Sequence, residues 1–500
     1  MRGRRGPERG CAVSSVEARR SLDSRRTSSP GLLIAALSVV ALTVAVLQTA
    51  VVPILGVIER QLHASSVDVS WTVTANLLAA AATTPLIGRL ADLHTKRTVL
   101  LIVLVVVLAG SVLAAVTTSL PLLILARVMH GVSFSLYPIA VSILREELPK
   151  ERLMGALAVI SGVLGFGGGM GLVIVGLLMR GDAGYHNVFW FATAFTVLVI
   201  VAVIAVVPHR RQSGSGSVDW IGAAGLALGL SLLLLALTQG NSWGWTSPRT
   251  VAGAVGAGVV LGTWWWWERR CAQPLVSTQM LSRRPILLTN IATVSVGIGL
   301  YCGFLGLTGF VQESPATGYG FGAPVLEASV VYLLPGALAG FVTALVSGRY
   351  IDRYGARPVL VAGAGIGVVG FALLAVAHDT AWQVIGAGIL VNAYISLAYG
   401  ALPALVVREV EPGETGVATS MNAIARTVGS SISAAIVAVL LSRSGSPDGP
   451  PESSYTAIFA LGAGTGLLAL LLIAASRPRL REIKSVEELS DSRAMNHEWG

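Results

Sequence analysis

The sequence predicts an all-α integral membrane protein with fourteen spanning helices, and three observations carry that prediction. Of the 500 residues, 54% are hydrophobic and 12% charged, about half the charged share of an ordinary soluble domain; the mean hydropathy is +0.73. The apolar residues gather into runs of about 20, the length at which a helix rising 1.5 Å per residue crosses about 30 Å of hydrocarbon. Lys and Arg concentrate in alternate gaps between these runs, which is how a multi-pass chain sets its orientation.

Residues 1–31 are rich in Arg, Ser and Gly without apolar periodicity and read as a disordered basic cytoplasmic arm. The first apolar run, from Leu32, is long for a signal-peptide core and has no small-x-small exit, so it reads as a retained helix. Spans follow at 32–56, 70–88, 98–117, 121–144, 154–179, 186–207, 218–238, 249–267, 286–311, 325–347, 358–377, 382–407, 415–441 and 455–475, and residues 476–500 form a cytoplasmic tail. An even count with a cytoplasmic start makes alternate loops cytoplasmic. The predicted outer loops then hold only Arg60, Arg180, Arg249 and Arg443, two cations (Arg127 and Arg426) lie inside spans, and the remaining basic residues fall in inner loops and tails. The formal net charge of +9 is therefore an orientation signal, and no basic face for nucleic acid is expected. Cys11, Cys271 and Cys302 have no CxxC or metal-ligand spacing and are expected as free thiols. The run Trp264 to Trp267 falls where the eighth span leaves the bilayer and reads as an interfacial anchor.

Two segments repeat. GRLADLHTKR (88–97) and GRYIDRYGAR (348–357) share G-R-x-x-D and a final Arg at an offset of 260, each after an even-numbered span. The offset superposes spans 1–6 on 9–14 and leaves 7 and 8 as an insert, a duplication found in many secondary transporters. From residue 32 to 475 the chain resembles the major facilitator superfamily, and within it the fourteen-helix drug/proton antiporters. The first-loop signature matches at Gly88, Arg89, Asp92, Lys96 and Arg97, and its second copy at Gly348, Arg349, Asp352, Arg353, Gly355 and Arg357. ARVMHG matches the helix-4 signature at Arg127, Val128 and Gly131, with further similarity in GFGGGMG, SWGW and ETGVATSMNAIARTVG. The resemblance implies a major-facilitator fold, two six-helix bundles (32–207 and 286–475) joined by a linker with two extra helices (208–285). It implies that Asp92 and Asp352 are gate residues, and that Arg127 serves proton coupling or substrate-site electrostatics.

The residues themselves narrow this. An arginine two turns into a span is costly unless it faces the bundle interior and finds partners. His130 and Phe134 follow Arg127 at i+3 and i+7, so the three share one face, with Tyr137 near its edge, and that face is expected to line a wet cavity. Arg426, with Asn422 one turn before it, is placed near the inner side, within reach of helix-end carbonyls or Glu414. Gly165, Gly169 and Gly171 belong to small-x-x-x-small surfaces for close helix packing. The G-x-G-x-x-G at Gly365, Gly367 and Gly370 lies inside a span with no preceding strand and is discarded as a nucleotide site.

No Asp or Glu falls in the central membrane layer. Where many members of the resembled family carry an acid in helix 1, this chain reads LQTAVVPIL with Gln48, which cannot carry a proton. Coupling candidates are Arg127, His130, whose ordinary pKa suits the task, and the outer-mouth carboxylates Glu59, Glu313 and Glu327. Cavity candidates at mid-depth are Gln48, Thr49, Asn76, Phe134, Tyr137, Asn290, Asn392, Tyr394 and Tyr399, each of which also suits interhelical hydrogen bonding. A site with few charges and several amides and aromatics suits bulky apolar or cationic compounds. The expectation is a monomeric plasma-membrane exporter of small amphipathic or hydrophobic compounds, working by alternating access and driven by protons. It has no enzyme activity, metal or cofactor, and both termini are cytoplasmic. The alternatives are a dedicated exporter of one metabolite, lipid or self-made antibiotic, and a non-transporting sensor.

Overall fold

The computed structural model describes residues 29–179, 184–210, 217–442 and 449–476, apart from a few side chains within them. Residues 1–28 of the predicted arm and 477–500 of the predicted tail, with Cys11, Arg180 and Arg443, lie outside the described residues. The long helices are α1 Pro30–Thr49, α2 Ser66–Leu93, α3 Lys96–Val116, α4 Leu120–Glu147, α5 Lys150–Leu178, α6 His186–Val206 and α7 Trp220–Trp243. Then come α8 Pro248–Glu268, α9 Arg284–Gln312, α10 Ala328–Tyr354, α11 Ala356–Val376, α12 Ala381–Glu409, α13 Thr415–Leu441 and α14 Glu452–Ala475. Twelve of them are long and apolar enough to cross a membrane; α2 and α8 fall outside that set. The polar residues of α2 and the Gly and Trp content of α8 dilute their hydropathy.

Short polar caps start several helices. Ser65 accepts from the backbone N–H of Asp68 at α2, Asp219 from Gly222 at α7, and Ser247 from Thr250 at α8. Three rods are irregular: α4 contains a 3-10 turn at Val132–Ser135, α9 a π turn at Cys302–Gly306, and α10 opens with a π turn at Ala328–Leu333.

The packing repeats. α1 lies on α5, α2 on α4, and α3 on both α4 and α6; eight helices later α9 lies on α13, α10 on α12, and α11 on both α12 and α14. The two sets meet chiefly where α5 packs on α10 and α12, and where α2 packs on α13. Helices α7 and α8 pair with each other, and α7 leans on both α2 and α13. There Gln239 Nε2 donates to Thr74 Oγ1 at 3.2 Å and Asn241 Nδ2 to the Ala435 carbonyl at 3.3 Å.

The α5–α10 seam rests on glycine at every seventh residue. Gly155 meets Gly348, Gly162 meets Ala344 and Gly169 meets Ala337, with too little room for a Cβ at Gly162, Gly169 or Gly348. A strict seven-residue repeat keeps one stripe of a helix against its partner along a left-handed crossing. The tetra-tryptophan run divides its labour, contrary to a purely interfacial reading. Trp266 is exposed beneath the Arg270 guanidinium (3.9 Å), but Trp264 is buried and donates to Glu268, and Trp267 donates to Asp219 on α7. Cys271 and Cys302 are free thiols.

Candidate functional site

Between the two helix sets lies a cavity of about 140 Å³. Gln48 and Thr49 of α1, Phe134 and Tyr137 of α4, and Gly165 and Gly169 of α5 line one side. Tyr301 and Phe304 of α9, Asn392 and Tyr399 of α12, and Arg426 of α13 line the other. Gln48 and Tyr301 face the cavity from opposite sets. Tyr137 is held by a 2.7 Å hydrogen bond to Ser161, and Asn392 Nδ2 donates to the Gly388 carbonyl. Arg426 is the one charged side chain on this wall among the described residues. Its guanidinium carbon lies 4.5 Å from the Tyr399 ring centroid and 5.8 Å from that of Tyr137, one ring from each set.

At one end of the cavity the repeated loops tie the sets together. Asp92, 7% exposed, accepts from the backbone N–H of Gly416 at 2.9 Å and of Val417 at 3.0 Å, so it caps the first turn of α13. Burial pushes its carboxyl up to about 6, against the lowering effect of those two N–H groups and of Lys96 and Arg89. Gly88 lies against the Gly416 backbone, where a Cβ has no room. Arg145, at the end of α4, crosses to the same place and donates to the carbonyls of Val410 and Glu411 and to Thr415 Oγ1. The second copy mirrors the first. Asp352 lies beside Gly155 of α5, the glycine that meets Gly348 as Gly416 meets Gly88. The mirror is imperfect, because Asp352 is exposed. The closing arginines match too: Arg97 Nη2 donates to the Ile204 carbonyl of α6 at 2.7 Å, and Arg357 Nε to the Ile473 carbonyl of α14 at 2.9 Å. Each caps the C-terminus of the last helix of its set. Lys96 pairs with Glu146 at 3.1 Å, Arg89 borders a polar recess with Gln273 and Glu414, and Arg349 is exposed.

Arg127 lies elsewhere, fully buried inside the first set. Its Nε donates to the Thr72 carbonyl at 3.1 Å, and its Nη1 to the Leu47 carbonyl at 3.2 Å and toward His130 Nδ1 at 3.3 Å. His130 Nε2 reaches Ser111 Oγ at 2.9 Å and its ring stacks on Phe189.

The sequence pattern of the Major Facilitator Superfamily matches residues 37–434 and again 336–494. The chain belongs to that superfamily. Among curated members it is similar to the "Tetracenomycin C resistance and export protein" of Streptomyces glaucescens, 27% identical over 77% of this chain and 71% of that protein. It is also similar to the "Multidrug resistance protein B homolog" of Mycobacterium tuberculosis, 26% identical over 75% of this chain and 69% of that protein. In fold it is similar to the human organic anion transporter MFSD10 (TETRAN), with a TM-score of 0.63, 15% identity and coverage of 89% and 99% of the two chains. As a facilitator-superfamily transporter it is not an enzyme.

The facilitator cavity collects some sequence-marked residues and leaves out others. Gln48, Phe134, Tyr137, Asn392 and Tyr399 line it. Asn76 instead donates to the Arg127 carbonyl, Asn290 accepts from Asn422, and Tyr394 is buried against Gly367 of α11. Mid-depth amides are satisfied as well by a neighbouring helix as by a cavity. The expected Arg127, His130, Phe134 face does not exist as one face. A four-residue 3-10 turn advances about 120° per residue instead of 100°, so it rotates the rest of the helix by about 80°. Phe134 and Tyr137 turn to the cavity, and Arg127 and His130 stay inside the bundle. Arg426, placed near the inner side by sequence, is in the cavity; Asn422 instead donates to Asn290 and to Thr293 within the second set. Of the carboxylates, Glu59 sits on the short helix Leu55–Leu62, Glu313 accepts from the Tyr455 hydroxyl, and Glu327 is exposed; none lines the cavity. Gly171 packs on Thr49 and Val46 of α1. Sequence reading missed Tyr301, just before the π turn of α9, Phe304, within it, and Arg145, whose position at a helix end looked like orientation alone.

Proposed function

We propose that this facilitator exports small amphipathic or hydrophobic compounds, drugs or antibiotics, across the cytoplasmic membrane by alternating access. The observation that carries the reading is the tie of Asp92 to α13, with Asp352 beside Gly155 of α5 at the symmetry-related place, at one end of a cavity lined by both helix sets. Hydrogen bonds between rigid bodies can break and re-form as the bodies rock about a midplane site. In this reading residues 32–207 and 286–475 are the two bodies, 208–285 carries two inserted spans, and all fourteen long helices cross the bilayer of the plasma membrane. The ties face the cytoplasm with both termini, which the basic loops at that end support. Gly88, Arg89, Asp92, Lys96, Arg97, Gly348, Arg349, Asp352 and Arg357 form the inner gate, and the protein works as a monomer.

Proton influx is the proposed driving force. Its proposed carrier is His130, which stands beside Arg127 inside the first set. The printed names of the Streptomyces and Mycobacterium relatives support export of drug-like compounds, and the first favours the narrower reading of a dedicated antibiotic exporter. Inside-out vesicles energised by respiration test this with a pH-sensitive dye. Proton release on adding candidate compounds, lost in His130→Gln, is the expected result; compound movement without release removes proton coupling, and no movement of any compound removes export.

A further inference from the structure

We propose that the central cavity selects amphipathic anions: an aromatic or alicyclic body carrying one carboxylate, sulfonate or phenolate. The inference rests on the export reading for its setting and on Arg426 for its chemistry. Every other cavity-lining side chain is neutral, so the wall carries a net positive charge. The partners that would quench that charge are absent: among the described residues Arg426 has no ion pair or hydrogen bond, only the two ring contacts. Rings lying over a guanidinium meet its π faces, while its five N–H donors point outward in the plane. Those donors match the two oxygens of a carboxylate or sulfonate in a bidentate pair.

The contrast with Arg127 sharpens the point. Both arginines lie within the bundle, where an unpaired guanidinium is expensive. Arg127 offsets that cost by donating to two backbone carbonyls and standing beside His130. Arg426 keeps its donors for whatever occupies the cavity.

The remaining wall fits the rest of such a molecule. Phe134, Tyr301 and Phe304 offer ring faces and edges for an aromatic body. Gln48, on the wall opposite Tyr301, adds an amide without charge. A lipophilic cation of the same shape meets the same rings but faces Arg426 with no carboxylate to receive it. This departs from the bulky apolar or cationic compounds expected from the sequence. Export of an anion also draws on the interior-negative membrane potential, which pushes negative charge outward.

The test uses the full chain in lipid nanodiscs and a pair of matched probes, 2-naphthalenesulfonate and 2-naphthyltrimethylammonium, with empty nanodiscs subtracted. The sulfonate is expected to bind saturably and at least tenfold tighter than the ammonium. Arg426→Gln should cost the sulfonate ten- to a hundredfold, the range of a charge-assisted hydrogen bond, and leave the ammonium no weaker. Arg426→Lys should keep the order of preference, which separates charge from misfolding. Equal or tighter ammonium binding, no saturable sulfonate binding, or sulfonate binding unchanged in Arg426→Gln overturns the proposal. The export reading is judged separately in proteoliposomes. Sulfonate that binds with this preference but is not carried leaves the anion site standing and sinks export; carriage of neutral dyes with no sulfonate binding does the reverse.

Discussion

Acidification should favour the tied end of the cavity through Asp92. In the tied state its carboxyl is buried and pushed up to about 6, with desolvation outweighing the N–H groups of Val417 and Gly416 and the nearby Lys96 and Arg89. When the tie opens, water reaches the carboxyl and its pKa returns to the ordinary value near 4. The tied state therefore holds a proton that the open state gives up. Tying is strongest below about pH 4, weakens as pH rises through about 6, and is constant above it. The gap is worth about 3 kcal/mol, or roughly a hundredfold in the ratio of tied to open molecules. Spin labels at His94→Cys and Gly413→Cys, both exposed and one on each helix set, read that ratio as a distance distribution in a background without the native cysteines. Between pH 7.5 and 4.5 the short-distance population should grow; in Asp92→Asn, neutral throughout, it should not respond. An unchanged distribution in the native chain, or an equal response in the Asn variant, refutes the argument.

Gly348→Val places side-chain carbon against the Gly155 backbone. It should cost the tied state about 1–3 kcal/mol, seen as slower disulfide formation between Arg152→Cys and Arg353→Cys. Arg127→Met strips donors from the Thr72 and Leu47 carbonyls at about 1–3 kcal/mol each. It should lower the unfolding temperature in detergent by several degrees while leaving probe binding in the cavity within twofold. Arg97→Ala and Arg357→Ala each remove a donor from the last carbonyls of α6 and α14, about 0.5–1.5 kcal/mol. Hydrogen exchange should speed up at those two helix ends by similar factors, and a change at only one end would break the claimed equivalence of the loops.

The parts of this molecule that were legible in the sequence are those fixed by period and by burial cost. Helix positions follow from apolar runs, and the offset between Gly88 and Gly348 foretells the repeated packing because duplicated sequence buries duplicated faces. Gln48, Tyr137 and Tyr399 could be assigned to a cavity because polar tips at mid-depth need somewhere to go. The same logic misplaced Asn76 and Asn290, since only coordinates reveal that a backbone carbonyl or another amide lies within 3 Å. Local irregularity hid more: the 3-10 turn of α4 separates His130 from Phe134, and the π turn of α9 brings Tyr301 and Phe304 to the wall. Neither turn has a proline or other marker within it. The glycine at every seventh position of α5 was visible in the sequence but means little until α10 is known to lie along it.

Duplication gives this fold its frame, and the departures from duplication mark where its chemistry lies. Loop aspartates, capping arginines and helix pairings recur at the offset of 260, so they serve the scaffold in both sets. Arg127 has Ala387 at the corresponding position, and Arg426 has Gly165, because Gly155 of α5 meets Gly348 as Gly416 of α13 meets Gly88, an offset of 261 between these two helices. Neither arginine can therefore be explained as part of the repeated frame. Gly165 lines the same cavity, so the first set leaves open space where the second set puts a cation. An ancestral symmetric cavity would carry two like groups or none; this one carries a single positive charge, held between Tyr137 of one set and Tyr399 of the other. A group that touches both bodies at once has its surroundings rebuilt each time they rock, so a ligand neutralising Arg426 changes the balance between the two cavity-facing states. Replacing Gly165 by Arg would restore the symmetry and add a second cation on the wall, at a position where a Cβ meets only Ser396 Oγ at 3.8 Å. If cavity charge governs selection, the Gly165→Arg chain should bind a naphthalene disulfonate more tightly relative to the monosulfonate than the native chain does, and an unchanged ratio would show that Arg426 acts through its neighbours and not through its charge.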